Sequence, residues 1–321
     1  MGYARVLTTE SACCTSYWLR SASISAKIYV VTSNAVTPNR VRSVEVVSTG
    51  WVRIRPEHAA SRRTPMLWWL ATSRRWTGKL PINVYVIDHP DGLVLFDTGQ
   101  DRRSVTDAGY FPRGLAGWAF RRLAQFGITE SDTLTAQLKR IGRRPEDVAV
   151  AVLSHLHQDH IGGISKLPNA RIVVSAAEWA TLDASHPELA GLLVEHLRIP
   201  GVTWDAVDPS QPLDADVAPF ATGHDLFGDG SLLILPTPGH TPGSISLLVR
   251  RSSLPPLLLV GDLTYDASGM ADELIPGVGK RSELLRASRM VTELRERHPD
   301  LVVLAAHDPN AAGLLAEATG R

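Results

Sequence analysis

Residues 154–163 read SHLHQDHIGG. Three histidines and an aspartate (His155, His157, Asp159 and His160) share six positions, and two glycines close the run. Apolar packing has no use for such a cluster, whereas a metal site does. Neutral imidazole and carboxylate suit zinc, and also iron, manganese or cobalt. His155 and His157 are two apart, so an extended backbone turns both to one face. Asp159 and His160 follow where the chain turns, and can face a second ion beside the first. Gly162 and Gly163 read as residues that let that turn form without steric cost.

The pattern recurs along the chain. Run 93–96 ends on Asp97, run 148–153 leads into the histidine cluster, and run 232–235 is followed by a Pro/Gly loop and His240. Run 257–260 leads to Asp262, and run 301–306 to His307. These runs, with 83–87, are rich in Val, Leu and Ile and have strand length. Residues 244–249 alternate as a half-buried strand would. If the runs are neighbouring strands, the polar residues converge along one edge of the sheets. Helical spacing lies between them: Leu134, Leu138 and Ile141 before Gly142; Leu192, Leu193 and Leu197 before Pro200; and 282–297, ended by Pro299.

The chain of 321 residues is long enough to bury a sizeable core, and its charge balance is even, with 33 Lys+Arg against 33 Asp+Glu. No strong field favours nucleic acid or an acidic membrane surface, and no stretch approaches a membrane span. Cys13 and Cys14 are the two cysteines, and neighbours cannot staple distant parts of a fold. That suits a reducing compartment, and a cytoplasmic location is expected. Residues 1–43 read as a loosely packed or disordered extension and 44–321 as one domain. Segment 101–132 carries Tyr110, Phe111, Trp118, Phe120 and Phe126. It reads either as a lid or as a helical insertion packed on the core. Segment 51–76, with adjacent Trp68 and Trp69, allows the same readings and a homodimer contact as a third.

The quoted run resembles the H-x-H-x-D-H motif of metallo-β-lactamase-fold hydrolases. FDTG at 96–99, PTPGHTPGS at 236–244, GD at 261–262 and AHD at 306–308 follow in that family's order. The resemblance implies an α/β fold, a four-layered αβ/βα sandwich of two mixed β-sheets flanked by helices. It also implies two divalent ions, zinc foremost. His155, His157 and His240 would hold one, and Asp159, His160 and His307 the other, with Asp262 bridging. Asp97 would then orient a ligand histidine rather than touch metal. The remaining histidines (His58, His89, His186, His196, His224, His298) read as surface or satisfied polar residues.

Within that family a bridging Asp262 argues against β-lactam cleavage. Fourteen residues after His307 leave no room for the helical domain of glyoxalase II. Tyr265, three residues past Asp262, resembles the tyrosine of the N-acyl homoserine lactone lactonases. The expected reaction is therefore metal-assisted hydrolysis of a small ester or lactone. Two cations lower the pKa of a shared water to about 7. Tyr265 helps to stabilise the oxyanion and Asp159 passes a proton to the leaving oxygen. The aromatics of 110–126 and Trp68/Trp69 are candidates for the acyl groove. Other esters, phosphotriesters or thioesters, or a non-catalytic metal-binding role, are the competing readings.

Overall fold

A computed structural model of the chain describes residues 14–17, 28–31, 40–61 and 64–320. Strands Cys14–Tyr17 and Ile28–Val31 pair antiparallel. The reading of 1–43 as a loose extension otherwise lies largely outside the described residues. The large unit spans Asn39–Arg321. Val41 is already buried in its core, and Arg42 reaches Asp88 at 3.0 Å.

Two mixed sheets form this unit. The first runs Ala124–Gly127, Ser43–Ile54, Leu80–His89, Gly92–Phe96, Val148–Val152, Arg171–Ser175, Thr203–Val207 from edge to edge. Its first three pairings are antiparallel and the rest parallel. The second runs Gln211–Pro212, Thr222–Asp225, Leu232–Pro236, Ile245–Val249, Leu257–Leu259, Val302–Leu304, with only the last pair parallel.

Strand alternation builds the layers. Val94 and Phe96 join Leu232, Ile234, Leu257 and Leu259 in the core between the sheets. Leu93 and Leu95 point the other way, to Leu134, Leu138 and Ile161. Leu233, Leu235 and Leu258 likewise meet Leu284, Val291 and Leu294 of helix Arg281–Arg297. Each sheet thus has one face on its partner and one on helices, which gives the expected four layers. Ile245–Val249 is buried throughout rather than half-buried, because it is a central strand covered on both faces. Among the described residues no helix is long and apolar enough to cross a membrane.

Two expectations change. Residues 192–197 form no α-helix; the run contains only the one-turn 3-10 helix Val194–His196. Leu192 instead bridges the backbone of His157, next to Gly191 at φ 84°. Segment 101–132 forms helices Arg103–Thr106 and Gly114–Leu123 and an edge strand at Ala124–Gly127, and combines both readings, since some of its aromatics pack on the core and others line a cavity.

Candidate metal centre

The sheet topology places all the predicted residues at the C-terminal ends of strands. Asp97 follows Gly92–Phe96, and the histidine run follows Val148–Val152. His240, Asp262 and His307 follow three strands of the second sheet. Asp97 adopts φ 62°, an uncommon conformation for a residue with a side chain. The turn aims its carboxylate back at the cluster. Oδ1 accepts from Ser154 N at 2.7 Å, and Oδ2 accepts from His160 Nδ1 at 2.8 Å and Ser154 Oγ at 3.0 Å.

His155, His157 and His240 form one group. His155 Nε2 and His240 Nε2 each lie 3.0 Å from His157 Nδ1. The approach of His155 to His157 is not a hydrogen bond, because both protons are used elsewhere. His157 Nε2–H donates to Ala190 O at 3.1 Å, and His155 Nδ1–H donates to Ser154 Oγ at 3.0 Å. His155 Nε2 and His157 Nδ1 therefore face each other with lone pairs, and a cation between them would remove the repulsion. Tetrahedral zinc with bonds of about 2.0–2.1 Å spaces its nitrogens about 3.3 Å apart, close to what is seen. Burial first, then neighbouring imidazoles, pushes His155 and His240 well below the usual histidine range. Neutral rings are the metal-binding form.

Asp159, His160 and His307 form a second group. His307 Nε2 lies 3.5 Å from Asp159 Oδ2 and 3.5 Å from Asp262 Oδ1. His160 Nε2 lies 3.8 Å from Asp159 Oδ1 and 3.4 Å from Asp262 Oδ1. His307 Nδ1–H donates to Pro81 O at 2.8 Å, which frees Nε2 for the cluster. Asp262 spans both groups, since its Oδ2 lies 3.7 Å from His240 Nε2. His160 Nε2 and Asp262 Oδ1 are buried with no hydrogen-bond partner. Buried polar atoms rarely stay orphaned, so these two fit a bound cation. Burial opposes the charge on Asp262, yet His307 and His160 outweigh it and hold the carboxyl well below its usual range.

A model of the metallo-beta-lactamase superfamily matches residues 77–307. The chain belongs to the metallo-β-lactamase superfamily. The resemblance drawn from its motifs therefore holds, and the protein is a hydrolase of a superfamily that uses divalent metals. The N-acyl homoserine lactonase AttM of Azorhizobium caulinodans is 33% identical over 243 residues, covering 73% of this chain and 84% of that protein. Its namesake in Rhizobium radiobacter is 31% identical over 238 residues, with 73% and 84% covered. An N-acyl homoserine lactone hydrolase with N-hexanoyl-L-homoserine at its catalytic metal centre has a similar fold. The TM-score is 0.66 at 22% identity, covering 84% of this chain and 94% of that one. A dizinc quorum-quenching lactonase gives 0.57 at 16% identity, covering 92% and 91%.

This metallo-β-lactamase member also uses residues that the sequence did not single out. Glu178 is fully buried. Its Oε1 accepts from Leu156 N at 3.0 Å, and its Oε2 accepts from Thr241 Oγ1 at 2.7 Å and Gly243 N at 3.0 Å. It thereby ties the His155–His157 loop to the loop carrying His240. His58, read as a surface or satisfied residue, lies in the site, with Nε2 3.1 Å from the Tyr265 hydroxyl. The glycine pair also acts differently from expectation. Gly162 has an ordinary φ of −61°. A Cβ there would collide with the backbone of Gln100 and Asp101, so close packing, not turn conformation, requires glycine.

A cavity of about 500 Å³ lies over the cluster. Its floor includes His157, Asp159, Asp262, Tyr265 and His307, and its walls include Ile54, Leu123, Phe120 and Phe126. Of the proposed groove aromatics, only the last two line it. Trp69 is buried beside His58, and Trp68 is 66% exposed on the surface. Tyr110 and Phe111 pack instead with Phe120 and Leu193.

Proposed function

We propose that the protein opens N-acyl homoserine lactones by metal-assisted hydrolysis. One observation carries this reading: the Tyr265 hydroxyl lies 3.0 Å from Asp262 Oδ2 on the floor of a cavity with an apolar wall. The similarity to lactonases supports the choice of substrate. His155, His157 and His240 would hold one divalent ion and Asp159, His160 and His307 the other, with Asp262 between them. Zinc fits this donor set best. Bound there, two cations would acidify a water and polarise the lactone carbonyl.

The chain's own residues supply the rest. Asp97 locks the orientation of His160, and Ala190 O and Pro81 O set the tautomers of His157 and His307. Burial, then Asp262 and Asp159, hold the Tyr265 phenol well above its usual pKa, so it stays a proton donor. It donates to the developing oxyanion. Asp159 is the most exposed carboxylate of the cluster and faces the cavity, so it would take the proton shed by the attacking water and pass it to the departing ring oxygen. Phe120, Phe126 and Leu123 receive the acyl tail. Leu67 and Trp68 on helix Met66–Thr72, and Leu115 and Trp118 on the helix Gly114–Leu123 that touches it, are exposed, and a homodimer contact would cover them. An enzyme of this kind would be quorum-quenching and, with two adjacent cysteines, suited to the cytoplasm.

A substrate panel on zinc-loaded protein tests the reading. Acyl homoserine lactones should be opened faster than aryl esters, phosphotriesters and thioesters. A phosphotriester or thioester preference would replace it with another hydrolase of the superfamily, and no turnover with any class would favour a binding protein. Tyr265→Phe isolates the hydroxyl. Its loss should cost about 2 kcal/mol, or roughly thirtyfold, with the change in kcat rather than KM. Unchanged kinetics would make Tyr265 a packing residue.

A further inference from the structure

We propose that His58 is a positioning residue for Tyr265, its Nε2–H donating to the phenol oxygen so that the single hydroxyl proton is left for Asp262 and the substrate. The proposal rests on the role given to Tyr265 above. His58 sits in the short helix Pro56–Ala59, directly after the long strand Ser43–Ile54. The segment is held on both sides. Buried Arg55 donates to Arg122 O at 2.9 Å and Arg75 O at 3.0 Å, and its guanidinium lies 3.6 Å from the Trp76 ring centre. On the other side, Gly277 N donates to His58 O at 2.8 Å and Ser61 N to Ile275 O at 2.9 Å. The imidazole is thus fixed edge-on to Tyr265, with ring centres 5.7 Å apart and planes at 82°.

Proton counting then decides the direction of the bonds. The phenol oxygen has one proton and two close polar neighbours, Asp262 Oδ2 at 3.0 Å and His58 Nε2 at 3.1 Å. An ionised carboxylate only accepts, so the phenol proton belongs to Asp262 and His58 must be the donor. The far side of the ring agrees. His58 Nδ1 is buried with no partner. A stranded acceptor is tolerated better than a stranded N–H, which favours the tautomer with the proton on Nε2. Burial above all lowers the His58 pKa to about 4, so the ring carries one proton rather than two. The resulting chain runs His58 Nε2–H to Tyr265 O–H to Asp262 Oδ2. A donor behind the phenol oxygen strengthens its own donation and keeps the O–H turned away from the imidazole, towards Asp262 and the cavity. In the reaction the hydroxyl swings from Asp262 to the oxyanion without first having to be ordered.

A double-mutant cycle with an independent spectroscopic readout tests this. His58→Phe keeps a ring but loses the donor, and His58→Gln keeps a donor on a side chain of similar reach. With zinc-loaded protein and an N-acyl homoserine lactone, His58→Phe should lower kcat about three- to tenfold at nearly constant KM. In a Tyr265→Phe background the same change should cost less than about twofold, because the group it acts through is gone. His58→Gln should recover most of the lost rate. Nitrogen-15 NMR of the wild-type protein without metal should show His58 as the Nε2–H tautomer, a result independent of turnover and of the folding of any variant. A proton on Nδ1, or a His58→Phe cost that persists in the Tyr265→Phe background, would overturn the proposal and leave the Tyr265 reading intact. If Tyr265→Phe alone leaves kcat unchanged, both fail together.

Discussion

Asp262→Asn is expected to leave a folded protein that has lost nearly all of its activity. The Asp262 oxygens face both groups, Oδ1 toward His160 and His307 and Oδ2 toward His240. An amide there removes a negative charge from between two cations and replaces one oxygen with an NH₂ that cannot coordinate them. At least one ion should be lost or loosened. The chemistry expected of the pair is worth several kcal/mol, so turnover should fall by about a thousandfold or more. The fold should survive, because the apolar layers on either side of both sheets do not include Asp262. Metal analysis, circular dichroism and kinetics together check this. A variant with a full metal complement and near-normal turnover would show that Asp262 is not the bridge.

Glu178→Ala should act through stability as well as through activity. The side chain accepts three hydrogen bonds in a site sealed from water. Truncation strands the buried N–H groups of Leu156 and Gly243, at about 1–3 kcal/mol each, and opens a small cavity. A total loss of roughly 3–5 kcal/mol is expected, read by urea unfolding. Because Glu178 braces the loops of His157 and His240, zinc affinity should also fall about 10- to 100-fold. Glu178→Gln keeps one carbonyl acceptor and should cost less on both counts. Unaltered stability in the alanine variant would mean that the two loops are held by other contacts.

These two residues mark what the sequence can and cannot say. Asp262 was legible because it ends an apolar run, next to a glycine, in a series of runs that all end in ligand-type residues. The strands that carry the site were legible for the same reason. They are covered on both faces, so they read as continuous Val/Leu/Ile stretches. Glu178 carried no such signal. It is a lone glutamate after strand Arg171–Ser175, and only the approach of Leu156 and of the 240–244 loop gives its carboxylate partners. His58 is likewise a single histidine far from any motif, brought to Tyr265 by the course of strand Ser43–Ile54. Residues 192–197 misled in the opposite sense. Their leucines have helical spacing, but Gly191 and the backbone bridge to His157 commit the segment to a turn that supports the metal centre. Trp68 and Trp69 were aromatic enough for a groove, yet one faces solvent and the other packs behind His58. Local pattern reports how a segment is buried; which segment it is buried against is set by the tertiary fold.

Whether two ions act together in opening a lactone can be read from a single titration. Metal-free protein would receive zinc in sub-stoichiometric steps while ring opening of an N-acyl homoserine lactone is followed at each step. Activity should reach its plateau at two equivalents per chain. A plateau at one equivalent, or no ring opening at any ratio of zinc to protein, would contradict a two-ion centre that opens a lactone.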